Sequence, residues 1–108
     1  MKIPKLLGQS SPNAATLTGL YRAPGCACTT ATTLVVCNRS GVATTFRVAV
    51  APKAEADAVQ HYLYYDYALG GNATVLAELD LRLGEADELR VYAAAATVSF
   101  NLFGVETL

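Results

Sequence analysis

The segment VLAELDLRL at residues 75–83 decides the fold class of this chain. Every second residue from Val75 onward is apolar, and the residues between them are charged except for Leu76. A helix would spread these leucines around its circumference, whereas a strand places all of them on one face. The segment therefore predicts a β-strand with one buried face and one solvated face.

The same two-residue period occurs at 46–50 and 98–102, and turn-forming residues divide the whole chain into extended stretches. The stretches are 15–22, 29–38, 43–51, 61–69, 73–83, 88–93 and 95–103. Short strands at this spacing predict an all-β fold, a single-domain antiparallel β-sandwich of about seven or eight strands. Immunoglobulin-like and jelly-roll strand orders both fit this pattern.

The predicted core consists of the apolar residues on one face of each stretch. They are Leu17, Leu34, Val36, Phe46, Val48, Val50, Leu63, Val75, Leu79, Leu81, Leu89, Val91, Val98, Phe100 and Leu102. One segment, residues 53–60, is rich in alanine and carries acids near its start, so we expect a short helical turn there between two strands.

Residues 1–14 are predicted to form an extended N-terminal arm, with the sandwich domain at 15–108. Pro4 and Pro12 disfavour both a helix and a sheet ladder. Ile3, Leu6 and Leu7 are apolar, which a solvated tail would not need. They either pack on their own domain or dock on a neighbouring subunit.

Composition excludes several classes of protein. The 108 residues are 53% hydrophobic and 16% charged, which does not fit a disordered tail. Eight basic residues against nine acidic ones argue against binding of nucleic acid through charge. The sequence has no apolar run long enough for a membrane span, so we expect no membrane partner.

The segment HYLYYDY at residues 61–67 has the least usual composition in the chain. Strict alternation would place Tyr65 and Tyr67 on one face of a strand and Tyr62 and Tyr64 on the other. Because only one face can be core, at least two tyrosines must lie near the surface, where tyrosine is typical of protein interfaces. These four residues are interface candidates, and ordinary cross-strand packing is the alternative.

The three cysteines, Cys26, Cys28 and Cys37, allow three interpretations. They are reduced and buried as small apolar groups, or they form a disulfide within the chain or to a neighbour, or they bind zinc together with His61. The zinc site lacks the usual Cys-x-x-Cys turn. No motif of catalysis accompanies His61, the only histidine, so we expect no enzyme activity, no metal and no cofactor.

Several segments taken in order resemble a group of small proteins encoded among the virion genes of tailed bacteriophages. They are CNRS at 37–40, TFRVAV at 45–50, HYLYYD at 61–66, GNAT at 71–74, LRVY at 89–92 and VSFNLFGVE at 98–106, and the resemblance spans roughly residues 8–106. The loop with Cys26 and Cys28 departs from the group, in which it is rich in glycine and serine. This departure favours disulfide cross-links in this protein.

The resemblance implies a β-sandwich that attaches to a larger virion scaffold, assembled in the host cytoplasm. The role it favours is a capsid decoration (cement) protein that binds the major capsid protein or other virion proteins and stabilises the particle. A component of the neck, tail, baseplate or fibres is the alternative, including an adhesin in which Tyr62 or Tyr64 stacks on sugar rings. Symmetric assemblies repeat one interface, so we expect a homo-oligomer, for which a trimer is one arrangement.

Overall fold

The computed structural model describes residues 2–24 and 28–107. They form eight strands and two short 3₁₀ turns, and no α-helix occurs in this part of the chain. The strands are β1 (Lys2–Ser10), β2 (Thr18–Arg22), β3 (Cys28–Asn38), β4 (Thr44–Ala51), β5 (Tyr62–Leu69), β6 (Thr74–Leu83), β7 (Glu88–Ala93) and β8 (Val98–Thr107). The two turns, Pro52–Ala54 and Val59–His61, lie between β4 and β5.

The strands form two four-stranded antiparallel sheets, which confirms the predicted sandwich. Sheet A has the order β1-β8-β3-β6 and sheet B the order β2-β7-β4-β5. β1 pairs with β8, β2 with β7, β3 with β6 and β4 with β5, as in one long hairpin folded over itself. That pairing is the jelly-roll order, so the structure decides between the two predicted topologies.

The core lies between the sheets, where Phe46 of sheet B meets Phe100 of sheet A edge to face with ring centres 6.1 Å apart. Most of the predicted core is fully buried, namely Leu34, Val36, Phe46, Val48, Leu89, Val91, Val98, Phe100 and Leu102. The predicted residues that are only partly buried are Leu17, Val50, Val75, Leu79 and Leu81. The prediction for Leu63 is wrong, because this side chain is 47% exposed on the edge strand β5.

The prediction of a separate arm at residues 1–14 is wrong, because residues 2–10 form β1, an edge strand paired with β8. An edge strand tolerates Pro4, since the missing amide donor can fall on the unpaired side. Leu7 packs on the core and Ile3 lies opposite the inward-facing Glu106, whereas Leu6 points outward and is 42% exposed. The domain therefore includes this segment.

β1 also closes the sandwich at one edge, where it runs close to β2. A register shift lies between Leu6 and Gly8, so Leu7 is the extra residue of a β-bulge, and both Leu7 and Gly8 lie on the inner side of the sheet. A Cβ atom at Gly8 would collide with the backbone carbonyl of Leu20 in β2. Only glycine allows this approach of the two sheets.

The short helical turn predicted at 53–60 does not span this segment, which instead has a 3₁₀ turn near each end, Pro52–Ala54 and Val59–His61. Lys53 and Ala54 have positive φ angles of 51° and 53°, which end the first 3₁₀ turn after a single turn. His61 fixes the remainder of this connection, since its Nε2 lies 2.9 Å from Glu55 Oε1 and its Nδ1 accepts a hydrogen bond from the Ala58 amide. A segment of this length is marginal as a helix, and these contacts decide its conformation.

Asn38, at the end of β3, joins three turns at one end of the sandwich. The side chain is 1% exposed. Its Nδ2 donates to the carbonyls of Val42 and Gly70, and its Oδ1 accepts from the Ser40 amide and the Thr97 hydroxyl. A single buried amide thus links the β3–β4, β5–β6 and β7–β8 connections.

Candidate functional site

The tyrosine-rich strand β5 has two irregularities that set the direction of its side chains. Phe46 and Val48 of β4 pair with Tyr67 and Tyr64 of β5. The single residue between them on β4 therefore lies opposite two residues on β5, Tyr65 and Asp66. The extra residue forms a β-bulge, in which Asp66 has a φ angle of 50°. The pairing is irregular again between Val48 and Ala49.

Because of the bulge, the tyrosines are sorted differently from the alternation predicted above. Tyr64 and Tyr67 contact Phe46 at the edge of the core, with ring centres 5.9 and 5.4 Å away, and contact each other edge to face. Tyr62 and Tyr65 meet edge to face, 5.0 Å apart, on the outer side of sheet B. The prediction that Tyr65 and Tyr67 share one face of the strand, and Tyr62 and Tyr64 the other, is therefore wrong.

Arg47 of β4 organises the outer side of sheet B. Its Cζ lies 4.1 Å from the ring centre of Tyr65 and 4.4 Å from that of Tyr92 on β7. Its Nε donates to Asp66 Oδ1 at 2.6 Å and its Nη2 to Oδ2 at 3.2 Å. We call Arg47, Tyr62, Tyr65, Asp66 and Tyr92 the tyrosine face.

These contacts hold the tyrosine face in one geometry. The hydrogen bonds to the Asp66 carboxylate raise the pKa of Arg47 further above its ordinary value, so the guanidinium stays charged at any physiological pH. A charged guanidinium is attracted to the faces of aromatic rings, and its two bonds to one carboxylate fix its plane. The bulge residue and two aromatic rings are thereby positioned by a single side chain.

A second arginine, Arg90 of β7, fixes the border of the same face. Its Nε donates to Glu88 Oε1 at 2.6 Å, and its Nη1 donates to Asp57 in the connection between β4 and β5. In the register of the sheet Arg90 lies beside Ala49, which is 2% exposed although it is on the outer side. The Arg90–Asp57 ion pair and the His61–Glu55 contact together hold the β4–β5 connection in place.

Three large side chains of the edge strand β5 are exposed to solvent. Tyr65 is 61% exposed, Tyr67 49% and Leu63 47%. An edge strand that exposes several large side chains is a common place for contact with another protein. All three lie on β5, the last strand of sheet B.

The other predicted interface residues lie elsewhere. Ile3, Leu6 and Leu7 belong to β1 of sheet A, on the opposite side of the sandwich from the tyrosine face. Two of them point into the sandwich, which leaves Leu6 as the only exposed member of this group. The N-terminal segment and the tyrosines therefore do not form one surface.

The cysteines of β3 lie far from the histidine. Cys28 is exposed at the start of β3 and Cys37 is partly buried near its end, both as free thiols, while Cys26 lies outside the described residues. Cys37 is on the outer side of sheet A, opposite Ser99, whereas His61 lies against sheet B. The zinc interpretation, which would need these cysteines to converge with His61, therefore does not fit the positions of Cys28 and Cys37. Within residues 2–24 and 28–107, no three His, Cys, Asp or Glu side chains are grouped as metal ligands would be.

A buried polar group that was not predicted from the sequence lies at the end of the sandwich near Cys28. Glu106 of β8 is 8% exposed and binds Lys5 Nζ at 2.6 Å and the Tyr21 hydroxyl at 2.9 Å. That hydroxyl also lies 2.9 Å from Thr29 Oγ1. Lys5 and then Tyr21 lower the pKa of Glu106, while burial raises the pKa of Tyr21. The sequence does contain a signal for this group. If the alternation that places Phe100 and Leu102 in the core is continued along β8, Glu106 also points inward.

Comparisons with known proteins give no relative for this chain: no family model, no curated protein and no solved structure matches it. Among the described residues, no helix is long and apolar enough to cross a membrane.

Proposed function

We propose that this chain is a non-enzymatic attachment domain of a bacteriophage virion and that it binds a larger virion protein through the tyrosine face. The form that we favour is a capsid decoration protein, many copies of which bind the major capsid protein and stabilise the particle. The observation that carries the proposal is the Arg47 guanidinium stacked on Tyr65 and Tyr92 and bonded to Asp66.

A face of this kind suits binding to a protein. Tyrosine supplies a large apolar area together with a hydroxyl that tolerates water, and it is enriched at protein interfaces. Association costs free energy when mobile side chains become ordered. Because Arg47 already fixes the rings of Tyr65 and Tyr92 in the folded domain, these side chains lose little freedom when a partner binds.

The fold and the lattice of a capsid are consistent with this role. Jelly rolls are frequent in viral capsid proteins and also in lectins, so the fold by itself supports either a structural or a sugar-binding role. A particle presents many identical sites, and attachment at several points raises the effective affinity of weak contacts. Each copy then needs only a modest interface.

The number of copies per particle separates the two structural roles that the resemblance implies. A decoration protein occurs in hundreds of copies, about as many as the capsid subunits, because it follows the symmetry of the shell. A neck, baseplate or fibre component occurs in roughly six, twelve or a few dozen copies. Quantitative mass spectrometry of purified particles measures this ratio directly.

A glycan-binding or receptor-binding adhesin is the second candidate, and one observation favours it. The outward rings of Tyr62 and Tyr65 meet at nearly a right angle, 84°, which leaves aromatic surface for an apolar sugar face. Tyr64 does not serve this role, because it packs on Phe46. Saturable binding of the isolated domain to host cells, lost in Tyr65→Ala, would support the adhesin in place of the decoration protein.

The test of the proposed function is the retention of Tyr65→Ala on particles. Because Tyr65 is exposed, its loss should leave the circular dichroism spectrum of the domain unchanged. The control is Val42→Ala, which removes another exposed apolar side chain, 74% exposed in the β3–β4 turn. We expect wild-type copy numbers for Val42→Ala and a reduction of about tenfold or more for Tyr65→Ala.

Two outcomes contradict the proposal. One is that the wild-type chain is absent from purified particles. The other is that folded Tyr65→Ala is retained at the wild-type ratio, which would show that attachment does not use the tyrosine face.

A further inference from the structure

The outer side of sheet A differs in chemistry from the outer side of sheet B. On its two central strands the outward residues carry no charge: Ser99, Asn101, Phe103, Val105 and Thr107 on β8, and Cys28, Thr30, Thr33, Val35 and Cys37 on β3. Leu6 of β1 and Leu76 of β6 lie beside these strands, and they are 42% and 67% exposed. We call this surface the uncharged face.

The outer face of an antiparallel sheet that contacts only solvent is normally polar and carries charged side chains. The core of a protein interface, by contrast, is depleted of charged residues. The charges of sheet A are displaced to its margins, with Glu78, Asp80 and Arg82 along the edge strand β6. The pattern is that of an interface core with a charged rim.

We propose that the uncharged face binds a second copy of this chain, with the two A sheets packed face to face about a twofold axis. Two sheets pack well when both are apolar or neutral where they meet, and an identical copy brings an identical neutral surface. No charge on β3 or β8 is buried by this contact.

The dimensions of the sheet fit a pair of this kind. Four strands of about ten residues cover a footprint of roughly 600 Å² per copy, from a strand spacing of about 4.8 Å and a rise of about 3.3 Å per residue. Stable interfaces bury about 800 Å² per partner. The accessible surface of a side-chain-covered sheet exceeds its flat footprint. A contact over the whole of sheet A, with the uncharged face at its centre and the charged side chains of β6 at its rim, therefore reaches the range of a specific dimer of modest affinity.

This pairing goes beyond the proposed function and is independent of it. A dimer joined through sheet A leaves both tyrosine faces exposed, on opposite sides of the assembly. Such a dimer has two attachment faces, which is the arrangement of a cross-linking protein. The dimer is testable with the purified chain alone, whatever the tyrosine face binds.

The experiment compares the mass of the purified chain with that of three variants by light scattering after size-exclusion chromatography, at chain concentrations up to about 100 µM. Phe103→Glu and Leu76→Glu each place a charge on the uncharged face, at side chains that are 41% and 67% exposed and so do not need burial to fold. Val59→Glu is the control, since Val59 is 87% exposed in the β4–β5 connection.

We expect a two-chain species for the wild type and for Val59→Glu, and a one-chain species for Phe103→Glu and Leu76→Glu, with unchanged circular dichroism. A one-chain wild type across this range would overturn the proposal, as would a dimer that persists in both face variants. A wild-type species of three or more chains would overturn the twofold face-to-face arrangement.

Discussion

Asn38→Ala tests the most heavily bonded side chain of the structure. Asn38 makes four hydrogen bonds of 2.9–3.1 Å, two through Nδ2 and two through Oδ1. Each such bond contributes about 1 kcal/mol net, so all four set an upper limit of about 4 kcal/mol. Because Val42 and Gly70 lie in exposed turns, their carbonyls can bind water after the substitution. We therefore expect a loss of about 2–3 kcal/mol, a large fraction of the stability of a small domain.

The assay is urea unfolding followed by circular dichroism at one fixed chain concentration. Asn38→Ala should lower the midpoint while leaving the denaturant dependence unchanged, because the surface exposed on unfolding is the same. Asn13→Ala is the matched control, since Asn13 is exposed in the turn before β2, and it should change stability by less than about 0.5 kcal/mol.

Asn38→Asp separates the hydrogen bonds from the volume of the side chain. An aspartate keeps one acceptor oxygen, but at neutral pH it points a second one at the carbonyls of Val42 and Gly70, where Nδ2 had donated. It should therefore be at least as destabilising as alanine at neutral pH. If both Asn38 variants unfold at the same midpoint as Asn13→Ala, the assignment of a structural role to this amide is wrong.

Three further predictions concern other parts of the domain. Deleting residues 2–10 should abolish cooperative unfolding, because β8 would lose its partner on one side; a truncated chain with a wild-type transition would refute the assignment of β1. Arg47→Met should leave the fold intact and weaken particle attachment as Tyr65→Ala does, since the ring positions lose their common contact; full retention would refute the role of Arg47. Glu106 has a lowered pKa in the folded state, so it contributes stability above its unfolded pKa, and this contribution is lost as the pH falls through the folded value, from about pH 5 downward. Thermal unfolding of Glu106→Gln should lack this part of the acid dependence, and an identical pH profile for variant and wild type would contradict it.

Local patterns in the sequence were sufficient for most of the strands. The predicted strand at 88–93 coincides with β7, and the predicted strand at 73–83 differs from β6 by one residue. Alternation identifies a strand with one buried face, but it carries no information about which strands pair. The jelly-roll order depends on contacts between distant segments, so the sequence left it open.

The failures have local physical causes. β1 was missed because it carries Lys5 on its inner side and Leu6 on its outer side, which breaks the alternating apolar pattern, and because an edge strand accepts Pro4. The tyrosines were assigned to the wrong faces because β5 has a bulge at Asp66. A glycine would have indicated such a bulge in the sequence, but this position is an aspartate. Arg47, which joins Tyr65 to Tyr92, lies on β4 between β5 and β7, and only the sheet register brings these three residues of distant segments together.

The central claim is that the tyrosine face contacts a different virion protein, and site-specific photocrosslinking tests it most directly. A photoreactive phenylalanine analogue at position 65 should, in assembled particles, form an adduct with a virion protein other than this chain. The same analogue at position 42, in the β3–β4 turn, should form none. Adducts from position 65 only to a second copy of this chain, or adducts from position 42 and none from position 65, would contradict the account.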